Sequence, residues 1–134
     1  LNKLSGGKRI ALDASNEPAD GLAVLDGGKL KLLLTTFDEA RLNTPGVIKL
    51  AVKVADAPSF SRCTMYRVDL KHASSYGKFL ELGKPVISPE TDELLRQAAV
   101  MNPESFSAFR QQDGTLAFEL ELPLNSVCFL EFAP

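Results

Sequence analysis

Several groups of side chains in this sequence have types and spacings that could do chemistry. Glu119 and Glu121 stand two apart in a run that alternates with leucine, and two carboxylates about 5 Å apart can cleave a glycosidic bond, one attacking and the other protonating the leaving oxygen. An i, i+2 acidic pair is also what the wetted face of an alternating strand looks like, and we read it that way. Glu90, Asp92 and Glu93 could gather a hard cation, but they fall in the first turn of an expected helix, where the positive end of the dipole accounts for them. His72 is the single histidine, so a zinc centre or a Ser-His-Asp relay would be short of members. Ser59, Ser61, Ser74 and Ser75 lie in no Gly-x-Ser-x-Gly setting, and Gly6-Gly7 and Gly27-Gly28 have no Gly-Lys-Ser/Thr after them. No catalytic residue, metal ligand or cofactor is assigned. The polar group to follow is Arg67, Asp69 and His72, expected to form a hydrogen-bonded cluster at the corner where a strand turns into a helix, through an Asp69–His72 or an Arg67–Asp69 contact.

The elements that must position this corner are mostly strands. Ile10 and Leu12 share a face in Lys8–Asp13, and Leu22–Leu25 follows Pro18 and Gly21. Asp26-Gly27 signals a tight turn into Leu30–Thr35, because primed turns need positive φ. Ile48, Leu50, Val52 and Val54 alternate with Lys49, Ala51 and Lys53, which predicts a strand with one face buried. Cys63–Leu70 continues the pattern. The period then lengthens. Tyr76, Phe79 and Leu80 have helical spacing and Gly83 ends the run; Ser88 and Pro89 open a second helix whose apolar side is Leu94, Leu95, Ala98 and Val100 or Met101, ended by Asn102-Pro103. Strands resume over Ser105–Gln111, turn at Asp113-Gly114 into Thr115–Leu122, and finish with Val127–Phe132, apolar on both sides as a central strand would be. The pattern predicts a mainly β chain: an antiparallel β-sandwich of about seven to eight strands with a short helical insertion around residues 75–101.

Composition narrows the partners. Fifteen basic and seventeen acidic residues give a formal charge of −2, and the cations are scattered singly, so no basic stripe tracks a nucleic acid. No apolar run approaches the ~20 residues of a membrane helix, and the first residues lack the apolar core of a signal peptide. Neither nucleic acid nor membrane is expected as a partner. Cys63 and Cys128 could pair, but free buried cysteine is the reading the composition favours.

Taken in order, Tyr66-Arg67-Val68-Asp69, His72, Tyr76, Phe79, Leu82-Gly83 and Pro85 resemble, without a gap, the C-terminal signature of family 39 glycoside hydrolases, the β-xylosidase and α-L-iduronidase family. The Pro-acidic helix from Ser88, the terminal Leu122-Pro123-Leu124-Asn125-Ser126-Val127 run and the hairpin after Gly21 resemble it too. This sequence has Phe79, Ala73-Ser74 and Leu82 where the family usually has Trp, Ser-Asn and Met. The resemblance implies a non-catalytic β-sandwich domain over residues 1–134, with 1–7 the remnant of a linker from a (β/α)₈ barrel that carries the two catalytic glutamates and is not in this chain.

The chain alone is therefore not expected to be an enzyme. Its expected partner is the catalytic barrel of the same parent chain, packed against a docking surface of Tyr76, Phe79, Leu80 and Pro85. Two further partners stay open, a second copy and a carbohydrate. A carbohydrate-binding module is the alternative reading, but stacking platforms use exposed Trp and Tyr, and this sequence has no Trp and only Tyr66 and Tyr76.

Overall fold

Turn chemistry and period-two alternation set the framework. A computed structural model describes residues 6–10, 19–41 and 45–134 of the chain. Among them are nine strands: β1 (Lys8–Ile10), β2 (Asp20–Asp26), β3 (Lys29–Thr35), β4 (Val47–Val54), β5 (Arg62–Val68), β6 (Glu104–Ser105), β7 (Phe109–Gln112), β8 (Thr115–Pro123) and β9 (Val127–Ala133). They form a larger antiparallel sheet in the order β1-β2-β3-β9-β5-β6 and a smaller one in the order β4-β8-β7. Two helices, α1 (Ser75–Glu81) and α2 (Pro89–Ala98), stand between β5 and β6. This is a β-sandwich with a helical insertion. Leu12 and Pro18 lie outside the described residues, as do residues 1–5 of the expected linker remnant.

The β2–β3 hairpin closes through Gly27-Gly28, at φ 57° and 81°, so the tight turn lies one residue later than Asp26-Gly27 suggests, with Asp26 paired to Lys29. Asp113-Gly114 makes the β7–β8 turn, again with both φ positive. The expected strand over Ser105–Gln111 is instead two. β6 pairs with β5 in the larger sheet, whereas β7 pairs with β8 in the smaller, so the chain crosses between layers at 106–108. Phe106 and Phe109 both pack against the core although three apart, which an unbroken strand cannot arrange because its side chains alternate faces.

Ladder rows build the core. Leu30, Phe132 and Cys63 stand side by side, and Leu32, Leu130 and Met65 form the next row. Leu50, Val54, Leu116, Phe118 and Leu122 meet them from the smaller sheet. Phe132 is at the centre, with ring centroids of Phe109, Phe118 and Phe60 at 5.2, 5.4 and 5.7 Å. β9, flanked by β3 and β5, buries Phe129 on its other face as well. Cys63 and Cys128 sit on neighbouring strands but face Phe132 and Arg67 respectively, four residues out of register; both are free and buried.

Local signals fix the helix ends. Ser74 Oγ accepts the Gly77 N–H at 2.9 Å, and Gly83 takes φ 78° after α1. Ser88 and Thr91 form a reciprocal capping box at the start of α2, with Pro89 in the first turn. Neither helix contains a buried residue.

Candidate functional site

The corner after β5 is a dense polar construction beside the helices. Asp69 and His72 close a tight turn by two backbone bonds, 3.0 and 3.2 Å. The Asp69 carboxylate, 8% exposed, turns back over it. It accepts the Lys71 N–H at 2.8 Å, the His72 N–H at 2.9 Å, and His72 Nδ1 at 2.8 and 2.9 Å. An ionised carboxylate only accepts, so Nδ1 carries a hydrogen, and in the neutral ring Nε2 is then the acceptor. Ala73, at φ 52°, then redirects the chain into the Ser74 cap.

Arg67 does not join Asp69. It donates to Glu104 through Nε at 3.0 Å and Nη2 at 2.7 Å, a bidentate fork. The geometric reason is register: Glu104 stands opposite Met65, and Arg67 lies one pleat further along the same face of β5. Asp69, past the end of the strand, has its acceptor sites filled by the turn. The expected triad is thus two neighbouring pairs, Asp69–His72 and Arg67–Glu104.

Between this corner and the helices runs a half-open groove of about 760 Å³. Gly77, Lys78 and Glu81 of α1 line one side, Leu94, Gln97 and Ala98 of α2 another, and Arg67, His72, Asn102 and Glu104 the third. Its charges largely compensate each other, since Lys78 also pairs with Glu81 at 3.3 Å. Gly77 explains how α1 comes so close. A Cβ there would stand 2.7 Å from the Leu70 carbonyl carbon, with the carbonyl oxygen nearer still, so only glycine lets the helix rest on the corner.

Tyr76 and Leu80 of the expected docking surface are exposed, Tyr76 at 62%, whereas Phe79 and Pro85 are half-buried. Around them Leu70, Leu82, Val86, Ile87, Leu94, Val100 and Met101 are also exposed, with Val86 at 91%. Glu119 and Glu121 lie on the solvent face of β8, where Glu121 meets Lys49 across the ladder at 3.6 Å. The two thiols offer no nucleophile: burial pushes Cys63 and Cys128 up to about 12. Among the described residues no group of three or more His, Cys, Asp or Glu side chains could hold a metal ion. Tyr66 packs against Phe129 at 6.0 Å on the outer face of the larger sheet. Phe37 and Tyr76 are the exposed aromatics among the described residues. Sequence reading missed Glu104, Gly77, Gln97 and Asn102, because each acquires its role from a neighbour distant in the chain.

No protein-family model and no curated protein sequence matches this chain. Solved structures do. The chain aligns with the crystal structure of the GH39 enzyme from Xanthomonas axonopodis pv. citri at a TM-score of 0.70 and 16% identity, over 99% of this chain and 28% of that one. It aligns with a GH39 β-xylosidase from Caulobacter crescentus at 0.62 and 17%, over 99% and 26%. A monomeric β-xylosidase from Caulobacter crescentus CB15 gives 0.57 and 14%, over 85% and 26%. The chain thus has the fold of a part of these enzymes and spans about a quarter of their length. The family 39 resemblance read from motif spacing and the likeness in fold agree.

Proposed function

We propose that this chain is a non-catalytic accessory domain of a β-xylosidase-type glycoside hydrolase, one β-sandwich unit over 1–134 that follows a (β/α)₈ barrel and docks on it through the helical excursion. In this reading residues 1–7 are the tail of the linker, and the retaining chemistry belongs to two glutamates of the barrel. Tyr76, Phe79, Leu80 and Pro85 make the contact, while the Asp69–His72 turn and the Arg67–Glu104 fork hold the helices at a fixed attitude to the sheets.

The observation that carries the proposal is apolar surface left uncovered on α1, α2 and their connection. Helices of seven and ten residues are too short to persist in water on propensity alone and depend on packing. Yet Tyr76, Leu80, Val86 and Ile87 face solvent. Covering four such side chains stabilises by roughly 8 kcal/mol before association costs. A surface of this kind fits a partner.

The test is reconstitution. The barrel portion of a parent enzyme, expressed separately, should bind this chain and gain several degrees in Tm. Tyr76→Asp with Leu80→Asp should weaken that complex by about two orders of magnitude. Absence of a complex, or equal binding by the double variant, would sink the proposal, as would saturation of the same surface by self-association of the chain.

A further inference from the structure

The geometry points to the groove beneath the helices as a binding site for a neutral saccharide, gripped through its vicinal hydroxyls. The proposal goes beyond the docking reading and does not depend on it. At about 760 Å³ the groove falls within the roughly 300–1,000 Å³ typical of small-molecule sites. Six of its lining residues, Arg67, His72, Glu81, Gln97, Asn102 and Glu104, end in planar polar groups. Such groups suit a polyol, because they hold donors and acceptors in fixed planes toward neighbouring hydroxyls.

Donors and acceptors are both present. The fork to Glu104 uses Nε and Nη2 of Arg67 and leaves Nη1. Glu104 keeps lone pairs beyond those the fork takes; the Asn102 amide supplies either function, and Gln97, which gives one Nε2 hydrogen to Glu93 at 3.0 Å, keeps the other and its carbonyl. His72 spends Nδ1 on Asp69 and leaves Nε2 for a ligand, as an acceptor when the ring is neutral. A hydroxyl both donates and accepts, so a mixed lining recognises it. Of the three cations in the lining, Arg67 is paired with Glu104 and Lys78 with Glu81, so an anion would find Lys71 alone without an ion pair there and two carboxylates nearby. Leu94, Ala98 and Val100 add an apolar strip suited to the C–H face of a sugar ring.

Titration of the chain with xylotriose and, separately, cellotriose, followed by ¹H–¹⁵N NMR, tests the site. Saturating shifts are expected at the Arg67 Nε–H and at the Gln97 and Asn102 side-chain amides, with a Kd of about 1 mM. Gln97→Ala with Asn102→Ala, both at exposed positions, should weaken binding at least about tenfold. Three results overturn the site: no saturable shift with either sugar, shifts confined to residues outside the groove, or unchanged affinity in the double variant. Tighter binding of glucuronate than of the neutral sugars overturns the assignment of ligand class. Barrel docking that fails while sugar shifts persist, or the reverse, tells the two proposals apart.

Discussion

Replacing Gly77 with alanine sets two effects of opposite sign against each other. In an unconstrained helix the change stabilises by up to about 1 kcal/mol, because alanine has less backbone freedom to lose. Here the new Cβ would stand 2.7 Å from the carbonyl carbon of Leu70 and 3.2 Å from its Cα. Those atoms are backbone, in a turn locked by the Asp69–His72 bonds, so they cannot swing aside as a side chain would. Overpacking costs about 1–3 kcal/mol, and a rigid opposing surface belongs at the upper end. The steric effect wins by about 2 kcal/mol, or roughly 30-fold in the equilibrium between α1 seated on the corner and α1 released. Because α1 makes no core contribution, the loss should be local. Amide hydrogen exchange is the assay: α1 amides should exchange roughly 30-fold faster in Gly77→Ala, with β9 amides unchanged. Equal or greater protection of α1 would mean that propensity governs and that the close approach is not what glycine is there for.

Asp69→Ala should cost about 2 kcal/mol, since it takes the acceptor from the Lys71 N–H and from His72 Nδ1, while the His72 N–H keeps its bond to the residue-69 carbonyl; a urea midpoint shift with m unchanged measures this, and a loss below about 0.5 kcal/mol contradicts it. For Cys63 and Cys128 the folded value is raised from the ordinary 9.0 to about 12. The buried thiols therefore support the native state fully below pH 9, and that support declines as pH climbs toward 12; urea titrations across this window should show falling stability, less so in Cys63→Ala/Cys128→Ala. At neutral pH their thiolate fraction is about a thousandfold below that of a free thiol, so both should resist alkylation until the chain unfolds.

Signals that act within a few residues were legible in the sequence. The Gly27-Gly28 and Asp113-Gly114 turns need positive φ, Ser88-Pro89 opens a helix, and a strand apolar on both sides, Val127–Phe132, lies between two others. One legible signal was overlooked: Phe106 and Phe109 break the parity of a strand, which marks the crossing between sheets. The Arg67–Glu104 fork was not legible, because it joins residues 37 apart through a register that one sequence does not reveal. Likewise Gly77 reads as a weak helix former until the Leu70 carbonyl is placed beneath it. Periodicity marked one side of α2 as apolar, but a period says which side chains share a face, not what covers them.

The position of β9 has a bearing on synthesis. It is the last strand in chain order, yet it lies between β3 and β5 and joins the two halves of the larger sheet. While the chain leaves the ribosome, Leu30, Leu32 and Leu34 must wait for partners about a hundred positions downstream, and loops of that size close slowly. The sandwich cannot shut until Phe132 clears the exit tunnel. Until then β3 and β5 present open, apolar edges of the sort that chaperones shield.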